Sequence, residues 1–215
     1  MTQESRKRRR PYDASGRKRQ AEQRRLAVLR TAADVFAARG LEATTMPEIA
    51  EAADVSLPYL ERLGSKADIF AMAIEVATLG PVHTMAAAQA EFEKTADTIT
   101  RDQFISAVAE GSAEWNARAY KLWQAWAVTP DPALHERWER DMAAIRRGWA
   151  VFLARFDDRG WWRTDIPRAE QVATIWILTM AETYGRLTEQ AGFTHDEYIA
   201  WLYRGLQSIL LPPER

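Results

Sequence analysis

Between Leu26 and Phe70 the chain places helix-stopping and helix-starting signals so close together that only short helices fit between them. Apolar Leu26, Leu29, Ala33, Val35 and Phe36 recur at helical spacing, and Gly40 followed by Leu41 supplies a left-handed stop with its hydrophobic contact. Thr45 with Glu48 three residues later is a capping box, and Pro47 is tolerated there because first-turn amides have no intrahelical acceptor. A second helix therefore starts near Met46 and ends around Ala53. Asp54 then occupies a turn that needs positive φ, and Ser56 caps a third helix carrying Pro58 in its first turn. Ser65 and Asp68 form another capping box, which opens a fourth helix at Lys66.

Two short helices joined by a three-residue turn make the helix-turn-helix layout. The order TTMPEIAEAADVS, a short helix, then SKADIF resembles the DNA-binding domain of the TetR family of one-component transcriptional regulators. The resemblance is detailed over Leu26 to Phe70 and continues beyond only as helix order and length. It implies that the third helix enters the major groove of double-stranded operator DNA. Thr44, Thr45 and Lys66 would then grip phosphates, Ser56, Leu57, Pro58 and Tyr59 would face the bases, and Arg62 would reach base or phosphate. A helix N-terminus favours an anion, which suits the role the resemblance implies for Thr45.

The chain departs from the family pattern twice. Asp54 stands where most relatives have glycine, a substitution that aspartate tolerates in a left-handed turn. From Ser56 to Lys66 there is also one residue fewer than usual, and the customary tyrosine and phenylalanine are missing. Aligned from the right, Leu60 and Leu63 take their places; aligned from the left, Glu61 replaces the tyrosine. The first keeps an apolar stripe facing the first helix, whereas the second buries a carboxylate against core, so the first is preferred. Either way a phosphate-binding hydroxyl is displaced, and Tyr59 either supplies it from a neighbouring position or does not.

A net charge of −1 conceals an electrostatic split: residues 1–30 hold eleven Lys or Arg against three acids, and the remainder holds 18 against 27. The stretch SRKRRRPYDASGRKRQAEQRR has too little apolar surface to fold alone, so residues 1–19 read as a disordered basic arm. Such an arm either tracks phosphates or enters a minor groove, or it is a solubilising tail. Its place just before a helix-turn-helix favours DNA.

At 215 residues and 47% hydrophobic content the chain supports a helix-turn-helix domain over 20–66 and a larger helical domain over 67–215. The absence of cysteine removes disulfides, thiol catalysis and thiolate metal sites, and is compatible with the cytoplasm. No apolar segment follows the basic start as in a secretory signal, and VATIWILTMA at 172–181 is too short to span a bilayer. His83, His135 and His195 are scattered without metal-ligand spacing, and there is no P-loop, dinucleotide fingerprint or GxSxG elbow. The expectation is a non-enzymatic protein without cofactor or metal.

Beyond Lys66 the pattern is all-α. The fourth helix runs toward Leu79, where Gly80 and Pro81 break it, and a polar stretch follows. A long helix spans Asp102 to Val128, Asp131 and Pro132 start the next, Asp165 and Pro167 open one that continues to about Gly192, and Thr194 with Glu197 caps the last. Residues 172–181 are apolar at nearly every helical phase, which requires partners on two sides. The last helix offers one, and a second copy of the pair offers the other in a homodimer, as the resemblance also implies. Nine tryptophans, all of them beyond residue 66, admit two readings. Trp115, Trp123, Trp126, Trp149, Trp176 and Tyr184 either line a pocket for a small hydrophobic or aromatic effector or are ordinary core.

These features, with the resemblance, point to a dimeric, ligand-responsive regulator, a repressor released from a palindromic operator by its effector. A nonspecific DNA-binding protein is the second reading and predicts a strong salt slope without sequence preference. A helical ligand-binding module or enzyme with a degenerate head is the third, and its activity would survive deletion of residues 1–66.

Overall fold

A computed structural model of the chain describes residues 14–80 and 85–212, with side chains over 16–80 and 90–212. Ten α-helices appear among them and no strand: α1 Ala14–Arg39, α2 Met46–Ala52, α3 Leu57–Leu63, α4 Lys66–Leu79, α5 Met85–Ala96, α6 Arg101–Ala127, α7 Pro132–Ala154, α8 Arg168–Thr179, α9 Ala181–Gly185 and α10 His195–Leu210. A 3-10 turn at Asp157–Arg159 and a π turn at Arg186–Gln190 complete the order.

The local signals act where they stand. Gly40 sits at φ 79° and its amide closes α1 onto Phe36 O at 2.8 Å. Thr45, Ser65 and Thr194 each form a reciprocal capping box, and Thr100 with Gln103 forms a fourth that starts α6 one residue earlier than expected. Asp131 caps α7 through the amides of Ala133 and Leu134.

Three expectations need correction. Residues 14–19 are not a disordered arm: α1 begins at Ala14, because its Ala, Arg, Lys, Gln and Glu content suits a helix even without core contact. Residues 1–13 of the expected arm, with Pro81 and His83, lie outside the described residues. The polar stretch after α4 holds a helix, α5, whose Phe92 packs against Phe152 at 4.5 Å between ring centroids. Arg159 binds the carbonyls of Ala96, Asp97 and Ile99 at the far end of α5.

The third correction concerns the penultimate helix, which is not continuous. Met180, at φ −67° and ψ 148°, separates α8 from α9. The three carbonyls at the break each have a side-chain donor: Thr183 binds Ile177 O at 2.6 Å, Tyr198 binds Leu178 O at 3.2 Å, and Asn116 binds Thr179 O at 3.0 Å. With those acceptors satisfied, interruption of the ladder leaves no buried carbonyl unpaired. Asp165 does not cap α8; it pairs with Arg163 instead.

Two hydrophobic cores result. The first joins α1–α4 with Leu122 and Trp126 of α6 and Leu134 of α7, so it crosses from the head into the body. Phe36 meets Phe70 at 5.0 Å, and Phe70 meets Trp126 at 6.2 Å, both edge to face. The second gathers Phe104, Leu153, Phe156, Trp162, Ile175, Tyr198 and Leu206 from α6, α7, α8 and α10 and the turns between them.

Candidate nucleic-acid interface

The third helix is short, and its two faces differ sharply. Leu60 is fully buried and Leu63 packs against the head core, while Glu61 is exposed. This is the arrangement required by aligning the shortened segment from the right. The connection to α4 closes through Gly64 at φ 149°, where a Cβ would stand 2.6 Å from Asp68 Cβ. Glycine thus accommodates the missing residue. On the outer side, Pro58 and Arg62 are exposed, Tyr59 and Leu57 are half-buried, and Ser56 caps the helix through the Tyr59 amide at 3.3 Å.

The flanking residues are less free. Thr44 is wholly buried and its hydroxyl donates to Gly40 O at 2.7 Å, so it is a strut of the α1–α2 turn and not a surface contact. Thr45 is exposed, but its amide donates to Glu48 Oε2 at 2.8 Å. That amide and the Thr45 hydroxyl hold the Glu48 carboxyl below its usual range, so a negative charge already occupies the N-terminus of α2. Arg39 pairs with the same carboxylate. Lys66 Nζ donates to Leu41 O at 3.1 Å and Thr44 O at 3.2 Å, which fastens the start of α4 to the α1–α2 turn and leaves one N–H outward.

The neighbouring cleft between α1 and α2 is lined by three acids, Asp34, Glu48 and Glu51, against one base, Arg39, a net sign that disfavours a polyanion. The basic side is elsewhere. Arg24 of α1 places its guanidinium 4.8 Å from the Tyr59 ring centroid, and Arg62 places its own at 5.6 Å. Arg24 is a residue that sequence reasoning did not single out. Its only linear signal is membership of a basic run, and the contact with Tyr59 spans α1 to α3.

The aromatic candidates of the body separate into three groups. Trp123 and Trp126 are stacked at 5.4 Å and their N–H groups are satisfied, by Thr78 Oγ1 at 3.0 Å and Leu134 O at 2.8 Å. Both belong to the seam between head and body, where Arg118 also binds Thr78 O at 3.0 Å. Trp149 and Trp176 are half-buried, with Nε1 atoms that are buried and have no partner among the described residues. Glu182 Oε2, at the start of α9, is in the same condition. Arg146 lies 6.0 Å from the Trp176 ring. Tyr184 joins a third group: its ring meets Tyr198 at 4.8 Å and Tyr120 at 5.5 Å, and its hydroxyl lies 3.3 Å from His195 Nδ1. Tyr120, hydrogen-bonded to Glu189, is pushed up to about 12 by burial and then by that carboxylate. Trp115 is half-buried on α6.

Among the described residues no cluster of His, Asp or Glu could hold a metal ion, and no helix is long and apolar enough to cross a membrane. Head and body together form a helix-turn-helix unit followed by an all-helical second unit. Residues 28–71 match the model of the bacterial regulatory proteins of the tetR family. Among solved structures, the fold is similar to a TetR-family regulator from Rhodococcus sp., with a TM-score of 0.67 and 16% identity over 88% of this chain and 99% of that one. It is also similar to NalD, the secondary repressor of the MexAB-OprM multidrug efflux pump in Pseudomonas aeruginosa, with a TM-score of 0.65 and 16% identity over 89% and 98%. TylP, a TetR regulator from Streptomyces fradiae, matches with a TM-score of 0.62 and 18% identity over 90% and 89%. No curated sequence matches the chain. The head thus carries a match to the tetR-family DNA-binding domain, and the fold of the whole is similar to that of TetR-family regulators.

Proposed function

We propose that the protein is a homodimeric repressor of the cytoplasm, released from a palindromic operator when a small hydrophobic or aromatic effector enters the body. The observation that carries the DNA half is the two-faced α3, with Leu60 and Leu63 anchored inward and Ser56, Pro58, Tyr59 and Arg62 outward. In this reading Ser56, Leu57, Pro58 and Tyr59 meet base edges, while Thr45 and the outward N–H of Lys66 steady the phosphates. Dimerisation is supported by α8 and α10 lying side by side with Ile177 left 56% exposed. Two recognition helices about 34 Å apart then address two half-sites.

The effector half rests on the unpartnered indole N–H groups of Trp149 and Trp176 and on Glu182 Oε2. Buried polar atoms without partners are costly, and a ligand that supplies an acceptor to the indoles or a donor to the carboxylate removes that cost. NalD represses an efflux pump, which agrees with a repressor role and a drug-like effector for this chain. Coupling to DNA runs through α6: displacement there is felt by Arg118 and Trp123, which hold α4 at Thr78, while Lys66 holds the other end of α4 to the head. A head at 20–66 and a body at 67–215 thus shift together between two populations.

The test is selection of binding sites from a random duplex pool, followed by gel shifts with and without candidate effectors. An enriched palindrome released by a ligand supports the reading. No duplex preferred over random sequence at physiological salt sinks it. With an operator in hand, Arg62→Ala lowers discrimination by about 1–3 kcal/mol if Arg62 reads a base, and weakens all sequences alike if it holds a phosphate.

A further inference from the structure

α1 starts at Ala14, but its first core side chain is Leu26. Roughly 18 Å of helix therefore projects from the head before α1 begins to pack. Exposed Arg17, Lys18, Arg19 and Arg24 lie on this projection, against a single acid, Glu22. Glu22 is already taken, by Arg25 at 3.0 Å, and Arg25 also reaches Met72 Sδ of α4 at 3.3 Å. Arg25 is thus turned toward α4 and neutralised, while Arg24 is turned onto Tyr59 of α3.

Arg62 approaches the same ring. Two guanidiniums of like charge share one tyrosine on the exposed side of the recognition helix, and no carboxylate among the described residues pairs with either. The ring's negative face attracts both, but it does not cancel their mutual repulsion. What the arrangement lacks is an anion, and a planar guanidinium is matched to the oxygens of a phosphate. In the DNA-binding reading α3 and not α1 enters the groove, which leaves an arginine of α1 to the sugar-phosphate rim.

From this geometry we propose that Arg24 is a DNA phosphate contact supplied by α1, and that the Tyr59 ring is the pillar that positions it beside Arg62. The inference rests on the DNA-binding reading above and adds to it a residue outside the helix-turn-helix. It also gives Tyr59 a role that uses its ring and not its hydroxyl.

The experiment measures affinity for two labelled 30-bp duplexes, one from the selection and one of random sequence, across a salt series. Arg24→Ala is expected to weaken both by the same factor, about eightfold near 0.1 M salt, and to reduce the slope of log affinity against log salt by about one. Arg24→Lys keeps the slope. Tyr59→Phe keeps the wild-type salt slope, whatever it does to affinity for the selected duplex, whereas Tyr59→Leu reproduces the Arg24→Ala loss of slope on both duplexes. A wild-type slope in Arg24→Ala overturns the phosphate contact and leaves the DNA-binding reading standing. Equal losses of slope in Tyr59→Phe and Tyr59→Leu overturn the pillar, because the hydroxyl is then what matters. No binding of either duplex by the wild-type chain removes the inference and the reading together.

Discussion

The head and the body are both helical, yet their helices end for different reasons. In the head, α2, α3 and α4 begin at a cap drawn from within three residues of the helix start, and α1 stops at a glycine in the left-handed region. In the body, α6, α7 and α10 also start at local caps, but two boundaries rest on distant partners: Asn116 and Tyr198 accommodate the α8–α9 break, and Arg159 secures the end of α5. A unit that presents side chains to a groove gains from rigidity specified locally. On the proposed function, a unit whose interior yields to an effector would be held instead by contacts that can be exchanged. If this contrast is sound, substitutions at the seam, in the body and in the head should have separable consequences.

The largest effect is expected at the seam. Phe70 is fully buried between Phe36 and Trp126, so Phe70→Ala should cost about 3–5 kcal/mol. Because the core is shared, helix loss by circular dichroism and the tryptophan fluorescence of the body should shift together on heating. A head transition that moves while the body transition stays put would show that the two units melt independently, and the contrast would then be between domains and not between styles of one core.

Next comes the body's distant capping. Asn116→Leu keeps the branching and heavy-atom count of the side chain but removes the donor to Thr179 O, and Asn116 is only 8% exposed. An unpaired carbonyl of this kind costs about 1–3 kcal/mol. Hydrogen exchange should then rise in α8 and α9 and not in α2 or α3. Protection lost equally in the head would mean that the break is not a local feature of the body.

How much could be read from the chain follows the same division. Thr45–Glu48, Ser65–Asp68 and Thr194–Glu197 announce helix starts because cap and amide are three residues apart, so the interaction is written in the linear order. Leu60 and Leu63 could be placed inward because burial of Glu61 was the costly alternative. The break at Met180 was hidden for the opposite reason: no glycine or proline marks it, and two of its three donors come from other helices. α5 was hidden because MAAAQAEFEKTA offers only two large apolar residues, Met85 and Phe92, too few to mark a period. At the site, two adjacent threonines look alike in sequence, but Thr44 is inside and Thr45 outside. Which tryptophans lack a partner, and which guanidinium shares the Tyr59 ring, are facts of three dimensions.

Local caps also make a prediction with a pH sign. Thr45→Ala in the head and Thr194→Ala in the body should each cost about 1 kcal/mol at neutral pH, since the same device starts both helices. Donation from the Thr45 and Thr194 amides and hydroxyls lowers the pKa of Glu48 and Glu197 in the folded chain. Their stabilisation is therefore present above the ordinary carboxylate range and is lost as pH falls through the lowered folded values. The difference in melting midpoint between wild type and each variant should shrink in acid. A difference that persists there would mean that the hydroxyl acts without its reciprocal carboxylate.

The smallest effect tests the one place where the head departs from local ideality. Asp54 lies at φ 50°, the only described non-glycine residue at positive φ, in the turn between α2 and α3. Two terms oppose each other in Asp54→Gly. The folded state is relieved of Cβ strain, of order 1 kcal/mol for a residue that tolerates this region better than most. The unfolded state gains backbone freedom worth about 0.5 kcal/mol against folding. Relief should win by a few tenths of a kcal/mol, and the melting midpoint should rise slightly. Preference for the selected over a random duplex should not change, because Asp54 lies in the turn before α3, whereas overall affinity should rise slightly as a negative charge leaves the neighbourhood of the phosphates. A lower midpoint would reverse the balance: Asp54 would then be stabilised in its turn, and the head would owe its rigidity to that residue as well as to its caps.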